Sequence, residues 1–202
     1  MGPAAPGGVR AVSAQQRRDE LVRAGVPYLL EHGVADLTLR PFAAALGTSD
    51  RMLLYYFVDK DRLVDALLEA ANEVLLAQLR DGRIDAPTPG GVVWSCWQML
   101  ADPAVADHVR LWQEVYLLGL REPGRYVEVL RRTSRPWEAL VAGALSRAGV
   151  TRARAERLAT IVLDATESLL LDARVTGEVD RVVAAVGELG RMVDAAGGSG
   201  QT

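Results

Sequence analysis

The sequence predicts an all-α protein of about nine helices, with an N-terminal helix-turn-helix domain and a C-terminal helical bundle domain. Three observations support this fold class. Apolar residues recur at spacings of three and four along most of the chain, and no segment alternates as a strand would. Clusters of proline and glycine divide the chain into segments of helical length. The breaks are predicted at 81–91, 101–103, 122–124 and 148–151, and near Gly177.

The same punctuation predicts four regions. Residues 1–13 are rich in Pro and Gly and read as a disordered arm, and Ser13 with Gln16 forms a capping box for the first helix. Residues 14–63 form the helix-turn-helix domain, 64–196 form the bundle, and 197–202 are a tail.

The segment from Leu39 to Leu63 is predicted to form two short helices joined by a tight turn and followed at once by a third. Phe42 and Leu46 give the first short helix an apolar face. Residues able to cap or end a helix stand at the required positions, namely Thr38, Gly47, Thr48 or Ser49, and Asp59. The turn of three to four residues between the first two helices is typical of a helix-turn-helix.

A longer ordered pattern surrounds this segment and spans residues 16–67. It runs from LVRAGVPYLLEHG through LTLRPFAAALGTS to Tyr55, Tyr56, Phe57 and Lys60. In this pattern the chain resembles the DNA-binding domain of the TetR family of bacterial transcriptional regulators, the TetR/AcrR type. The resemblance implies a homodimer that binds a pseudo-palindromic DNA operator and releases it when a small molecule binds the second domain.

The second helix of such a unit lies in the major groove. Arg51 can donate two hydrogen bonds to a guanine, and Asp50 can either accept from a cytosine or pair with Arg51. Arg40 and Lys60 are placed to meet phosphates. The alternative for these side chains is a solvated surface. The residues expected at DNA are Arg40, Thr48, Ser49, Asp50, Arg51, Tyr55, Tyr56 and Lys60.

Two residues depart from the family pattern. Leu54 stands where many relatives carry a tyrosine that bonds a phosphate, so Tyr55 or Tyr56 would have to supply that contact. Pro27 lies inside the first long helix, where its missing N–H should bend or break the helix at a cost of roughly 3 kcal/mol.

Composition limits the other function classes. The net charge is −3, with +1 on residues 1–63 and −4 on the remainder, so a DNA surface requires local placement of cations. The single Cys96 and the two histidines offer no metal cluster, catalytic pair or cofactor site. No run is long and apolar enough for a membrane helix, and no signal peptide is evident, so we expect a cytoplasmic bacterial protein without an enzymatic step.

All four tryptophans fall in the middle helices, where aromatic residues recur at helical spacing. They could wall an apolar cavity for a small molecule, with polar side chains, including those of Gln113 and Glu114, as anchors. The alternative is that they are ordinary core residues. The predicted ligand-binding set is Trp94, Trp97, Gln98, His108, Trp112, Tyr116 and Trp137.

The last two helices each carry an apolar stripe, and one subunit is not expected to bury both. We therefore predict that these helices pair with their copies across a twofold axis. An internal helical hairpin in a monomer is the alternative. The predicted dimer interface is Leu158, Ile161, Ala165, Val179, Val182, Val186, Leu189 and Val193.

These features together predict a ligand-responsive DNA-binding regulator, a repressor released by an apolar or aromatic effector. A helical small-molecule carrier, or a minor enzyme whose N-terminal unit does not read DNA, is the first alternative. A constitutive DNA-binding protein with a filled core and no effector is the second.

Overall fold

The computed structural model describes residues 7–79 and 84–198, which form nine α-helices, one short 3-10 helix at Pro103–Val105 and no strand. The all-α prediction is confirmed. In the described ranges, every predicted break contains a boundary between helices, although residues 89–91 already belong to α5 and residues 123–124 to α7. The helices are α1 Gly7–His32, α2 Leu39–Ala45, α3 Asp50–Phe57, α4 Lys60–Leu79, α5 Pro89–Ala101, α6 Ala106–Arg121, α7 Pro123–Arg147, α8 Arg152–Thr176 and α9 Val179–Gly198.

Helix α1 differs from its prediction at two places. It begins at Gly7, so Ser13 lies inside the helix rather than at its cap, and of the predicted arm only residues 1–6 lie outside the described residues. Four of the six predicted tail residues, 199–202, also lie outside them. The helix continues through Pro27, whose side chain is exposed, so it is not broken there. An outward-facing ring displaces no packed neighbour.

The chain divides into two compact units. The first contains the residues up to Val74 together with Arg110–Val129, and the second contains Leu75–Val109 together with the residues from Leu130 onward. This division does not coincide with the predicted boundary after residue 63, because the later part of α6 and the start of α7 cluster with the N-terminal helices.

The core of the first unit depends on a close approach of α1 and α2. Phe42 is fully buried, and its ring meets that of Tyr28 edge to face at 5.2 Å between centroids. A Cβ at Gly25 would lie 2.6 Å from Phe42 Cζ, so the absence of a side chain there permits the contact. Other fully buried side chains of this core include Leu29, Leu37, Leu53, Leu63, Val64, Leu67, Leu68 and Leu111.

In the second unit, α9 packs against α5 and α8. The Gly90 N–H donates to Asp194 Oδ1 at 2.6 Å, and a Cβ on Gly90 would lie 2.6 Å from the Gly190 carbonyl oxygen. Helices α5 and α9 therefore approach each other closely at Gly90 and Gly190.

This packing corrects the predicted dimer seam. Val182, Val186 and Val193 are 0, 1 and 2% exposed in the single chain, because α9 turns them into the core of its own unit. Leu158 is buried as well, and Leu189 packs against the same core. Of the predicted set, Ile161 and Val179 are exposed and Ala165 is partly exposed.

Candidate nucleic-acid interface and ligand site

Helix α3 begins with a side-chain cap. Ser49 has an extended backbone, and its Oγ accepts a hydrogen bond from the Met52 N–H at 3.2 Å, as an N-cap residue should. This resolves the choice between Thr48 and Ser49. Thr38 occupies the N-cap position of α2, but its hydroxyl makes no capping bond, so that prediction was right in position and wrong in contact.

The inner face of α3 fixes which side chains point outward. Leu53 and Phe57 are 0 and 2% exposed, and the opposite side of an α-helix then carries Arg51 and Tyr55. Tyr55 is 71% exposed, and its ring lies edge to face with that of Tyr56 at 5.0 Å. Arg51 and Tyr55, four residues apart on the outward face, can reach into a groove of DNA.

Asp50 resolves a second open question. Its Oδ1 accepts from the Arg51 backbone N–H at 2.8 Å, whereas the Arg51 guanidinium has no ion-pair partner among the described residues. Arg40 and Lys60 likewise form no ion pair within that part of the chain. Three cations around α3 are thus available to an anionic partner.

The eight residues predicted at DNA all lie in the first unit, on α2, α3, the turn between them and the start of α4. The exposed members are Arg40, Ser49, Asp50, Arg51 and Tyr55, and the half-buried members are Thr48, Tyr56 and Lys60. Asp59 caps α4 through its Oδ1, which accepts from the Arg62 N–H at 2.7 Å.

A strained turn that the sequence did not reveal follows α3. Val58 has φ 71° and ψ −52°, and the Asp59 N–H donates to the Phe57 carbonyl at 2.8 Å, which together define a γ-turn. A β-branched residue at positive φ is unfavourable. The Val58 side chain is 78% exposed, so packing does not compensate for the strain.

The end of α1 is held from α6 within the first unit. The Glu114 carboxylate accepts from the Val34 N–H at 3.1 Å and from the Ala35 N–H at 2.8 Å, and the Arg110 guanidinium donates to the carbonyls of Leu30 and Glu31. One side chain therefore binds the free donors of the turn after α1, and the other binds the free acceptors at the helix end. Glu114 is engaged here rather than free to anchor a ligand.

The predicted ligand-binding residues are divided between the two units. In the second unit, Trp97 is buried in the core, Trp137 packs against it, and Trp94 is 40% exposed. Gln98 is exposed, and His108 is buried. The other two members, on the part of α6 that belongs to the first unit, are Trp112, which is partly buried, and Tyr116, which is 45% exposed.

Helix α6 carries three buried polar atoms that have no hydrogen-bond partner among the described residues: His108 Nε2, Trp112 Nε1 and Gln113 Nε2. Leaving such a group unsatisfied costs about 1 to 3 kcal/mol, so each calls for a water or a ligand. Burial lowers the pKa of His108, with the charge of Asp107 opposing the shift, so the imidazole is neutral at pH 7.

An open groove of about 420 Å³ lies along α7 and α8 of the second unit. Five of its seven lining residues are polar or charged, and none is one of the predicted aromatic residues. The lining residues are Arg135, Glu138, Ala139, Ala142, Ser146, Arg152 and Glu156. Over the described ranges, no helix meets the length and hydropathy needed to cross a membrane, and no cluster of three metal-ligating side chains occurs.

The fold, unlike the sequence, has clear counterparts. No protein-family model and no curated protein match the sequence. A transcriptional regulator from Rhodococcus sp. Rha1 superposes with a TM-score of 0.68 at 20% identity, covering 87% of this chain and 95% of its own. A TetR transcription regulator from Haloarcula marismortui gives 0.66 at 18%, covering 90% and 98%. The multidrug binding protein EbrR, solved with proflavin, gives 0.61 at 22%, covering 86% and 99%.

The chain therefore has the architecture of a helical transcriptional regulator with an N-terminal helix-turn-helix. More specifically, it has the TetR-type fold, which confirms the resemblance at the level of fold.

Proposed function

We propose that this chain is a homodimeric transcriptional repressor that binds operator DNA through α3 and is released by a small molecule. The observation that carries the proposal is the outward face of α3, where Arg51 and Tyr55 project beside cations that lack ion-pair partners among the described residues. Arg51 reads a guanine, and Arg40 and Lys60 contact phosphates. Asp50 retains a carboxylate oxygen for a cytosine amino group.

The test of DNA reading is a selection from random duplex DNA at near-physiological salt, followed by sequencing. An enriched inverted repeat supports the proposal. Arg51→Ala should then relax the choice of one base pair per half-site by roughly 1 to 3 kcal/mol. Arg131→Ala, which removes an exposed arginine from α7, serves as the matched control and should leave operator affinity unchanged. No enrichment by folded protein would favour a helical carrier instead.

Dimerisation is proposed through the outer faces of α8 and α9. The exposed apolar side chains there are Ile161, Leu171, Val175, Val179 and Met192. Two copies joined there would present two equivalent readers, and the half-sites would be about 34 Å or more apart. Sedimentation of Ile161→Glu should show monomer where the native chain shows dimer. Leu120→Glu, at an exposed leucine on α6, should remain dimeric.

The effector is proposed to be an apolar or aromatic molecule that contacts α6. The unpartnered atoms of Trp112 and Gln113, on the part of α6 that belongs to the first unit, support this, because they offer hydrogen bonds to a ligand and are costly without one. The planar aromatic proflavin bound to EbrR makes it a reasonable first probe.

Tryptophan fluorescence during titration with proflavin and other planar aromatic compounds tests the effector site. Gln113→Leu should stabilise the free protein and weaken binding, because it removes a buried amide nitrogen that has no hydrogen-bond partner among the described residues. Stabilisation without any loss of ligand binding would show that Gln113 only packs. A flat response across the panel would support a constitutive DNA-binding protein.

The contacts of α6 with the end of α1 suggest how binding is transmitted. A shift of α6 would move Glu114 and Arg110, which hold the turn leading into α2. Glu114→Ala should then uncouple effector binding from operator release, so that the variant still binds the operator but the effector releases it poorly. Equal release from the variant and the native chain would exclude this route.

A further inference from the structure

Helix α3 exposes large apolar side chains that the proposed contacts leave unused. Met52 is 40% exposed and Leu54 is 41% exposed, although the helix has only eight residues. At 100° per residue, Leu54 lies beside Arg51 on one flank of the outward face, and Met52 lies beside Tyr55 on the other. The outward ridge formed by Arg51 and Tyr55 therefore has an apolar side chain on each side. We call Leu54 and Met52 the apolar border of this ridge.

The surroundings of this border indicate what covers it. Arg40, Arg51 and Lys60 carry positive charges that no acidic side chain in the described ranges neutralises. An apolar protein surface would leave these cations uncompensated, whereas duplex DNA supplies phosphates for them and base edges for the ridge. This inference rests on the proposed function, and it places the outward face of α3 in the major groove of DNA.

In the major groove, the apolar feature of a base pair is the 5-methyl group of thymine. A leucine cannot bond a phosphate, and neither Leu54 nor Met52 has a group that donates to a base edge. We propose that Leu54 and Met52 are specificity-determining residues that each contact a thymine 5-methyl group, on the two sides of the base pairs that face Arg51 and Tyr55. The operator half-site therefore carries one thymine next to the Arg51 guanine and a second on the far side of the base pair that faces Tyr55.

Uracil tests this directly, because replacing thymine by uracil removes the methyl group and keeps every hydrogen bond. Duplexes of the selected operator, each with one thymine per half-site replaced by uracil, would be titrated by fluorescence anisotropy at fixed salt. Burial of one methyl group corresponds to a loss of affinity of about threefold to fivefold per contact on its removal. Leu54→Ala and Met52→Ala would be compared with the native chain on the same duplexes.

The expected result is that each alanine variant loses the uracil effect at its own thymine and keeps it at the other. Leu120→Ala, at an 82% exposed leucine on α6, should leave both effects intact. Thermal unfolding of the three variants distinguishes lost contact from lost fold.

An operator that binds thymine and uracil duplexes equally, or a uracil effect that survives both α3 variants, overturns the inference and leaves the proposed function standing. A selection that enriches no DNA sequence overturns both this inference and the proposed function.

Discussion

The Glu114 carboxylate covers Gly33 so closely that a side chain added there would have to displace it. A Cβ on Gly33 would lie 3.0 Å from Glu114 Cδ and closer still to Oε2. Gly33 also has φ +78°, a conformation that L residues rarely adopt. The turn after α1 thus depends on this glycine for both its backbone and its contact with α6.

Gly33→Ala should therefore destabilise the protein by about 2 to 4 kcal/mol, from the left-handed backbone and from displacement of the carboxylate off the Val34 and Ala35 N–H groups. Gly47→Ala is the matched control, because Gly47 has φ +63° with nothing within 4 Å. It should cost only about 1 kcal/mol. Urea unfolding measures both, and equal costs would refute the role given to Glu114.

Val58→Gly should stabilise the protein by roughly 1 kcal/mol. Relief of strain at φ 71° is worth about 1 to 3 kcal/mol, and it is offset in part by the greater freedom of glycine in the unfolded chain. Val58→Ala removes the β-branching but keeps a Cβ, so it should stabilise the protein less than Val58→Gly does. A glycine variant less stable than the native chain in thermal unfolding would contradict a strained turn.

Glu167 should make stability depend on pH. Its pKa is raised from 4.5 to about 7, chiefly by burial and further by Asp164, so the folded state favours the protonated acid. Its contribution is fully present below pH 4.5 and is lost as the pH rises towards 7. Glu167→Gln should flatten this fall and stabilise the protein at pH 8 by about 1 to 3 kcal/mol.

The control for Glu167 is Asp164→Asn, which removes only the smaller cause and should lower the pH at which stability falls. Urea unfolding at a series of pH values provides the measurement. A native chain whose stability is constant between pH 4.5 and 7 would be inconsistent with the shift.

Val186→Ala should cost about 2 kcal/mol at every protein concentration, because Val186 is 1% exposed inside its own unit. Ile161 is 52% exposed, so Ile161→Ala should cost the single chain less than about 0.5 kcal/mol and weaken only the proposed dimer. Denaturation at several concentrations separates the two. If the stability lost in Val186→Ala depended on protein concentration, Val186 would belong to the dimer interface, as the sequence predicted.

Local sequence determined much of this fold. Gly33, Gly47 and Gly177 mark helix ends at positive φ, Ser49 and Asp59 cap the helices that follow them, and these signals act within a few residues. The number of helices and the helix-turn-helix could therefore be predicted, as could the set of residues around α3.

Tertiary structure decided the rest. The spacing of Val182, Val186 and Val193 identifies an apolar stripe, but it is the same whether the stripe packs within one chain or between two. Glu114 meets Val34 across 80 residues, a contact that no local pattern encodes. The sequence determined where each helix begins and ends because hydrogen bonding along the chain sets those points, whereas the partner of each face depended on how distant segments pack.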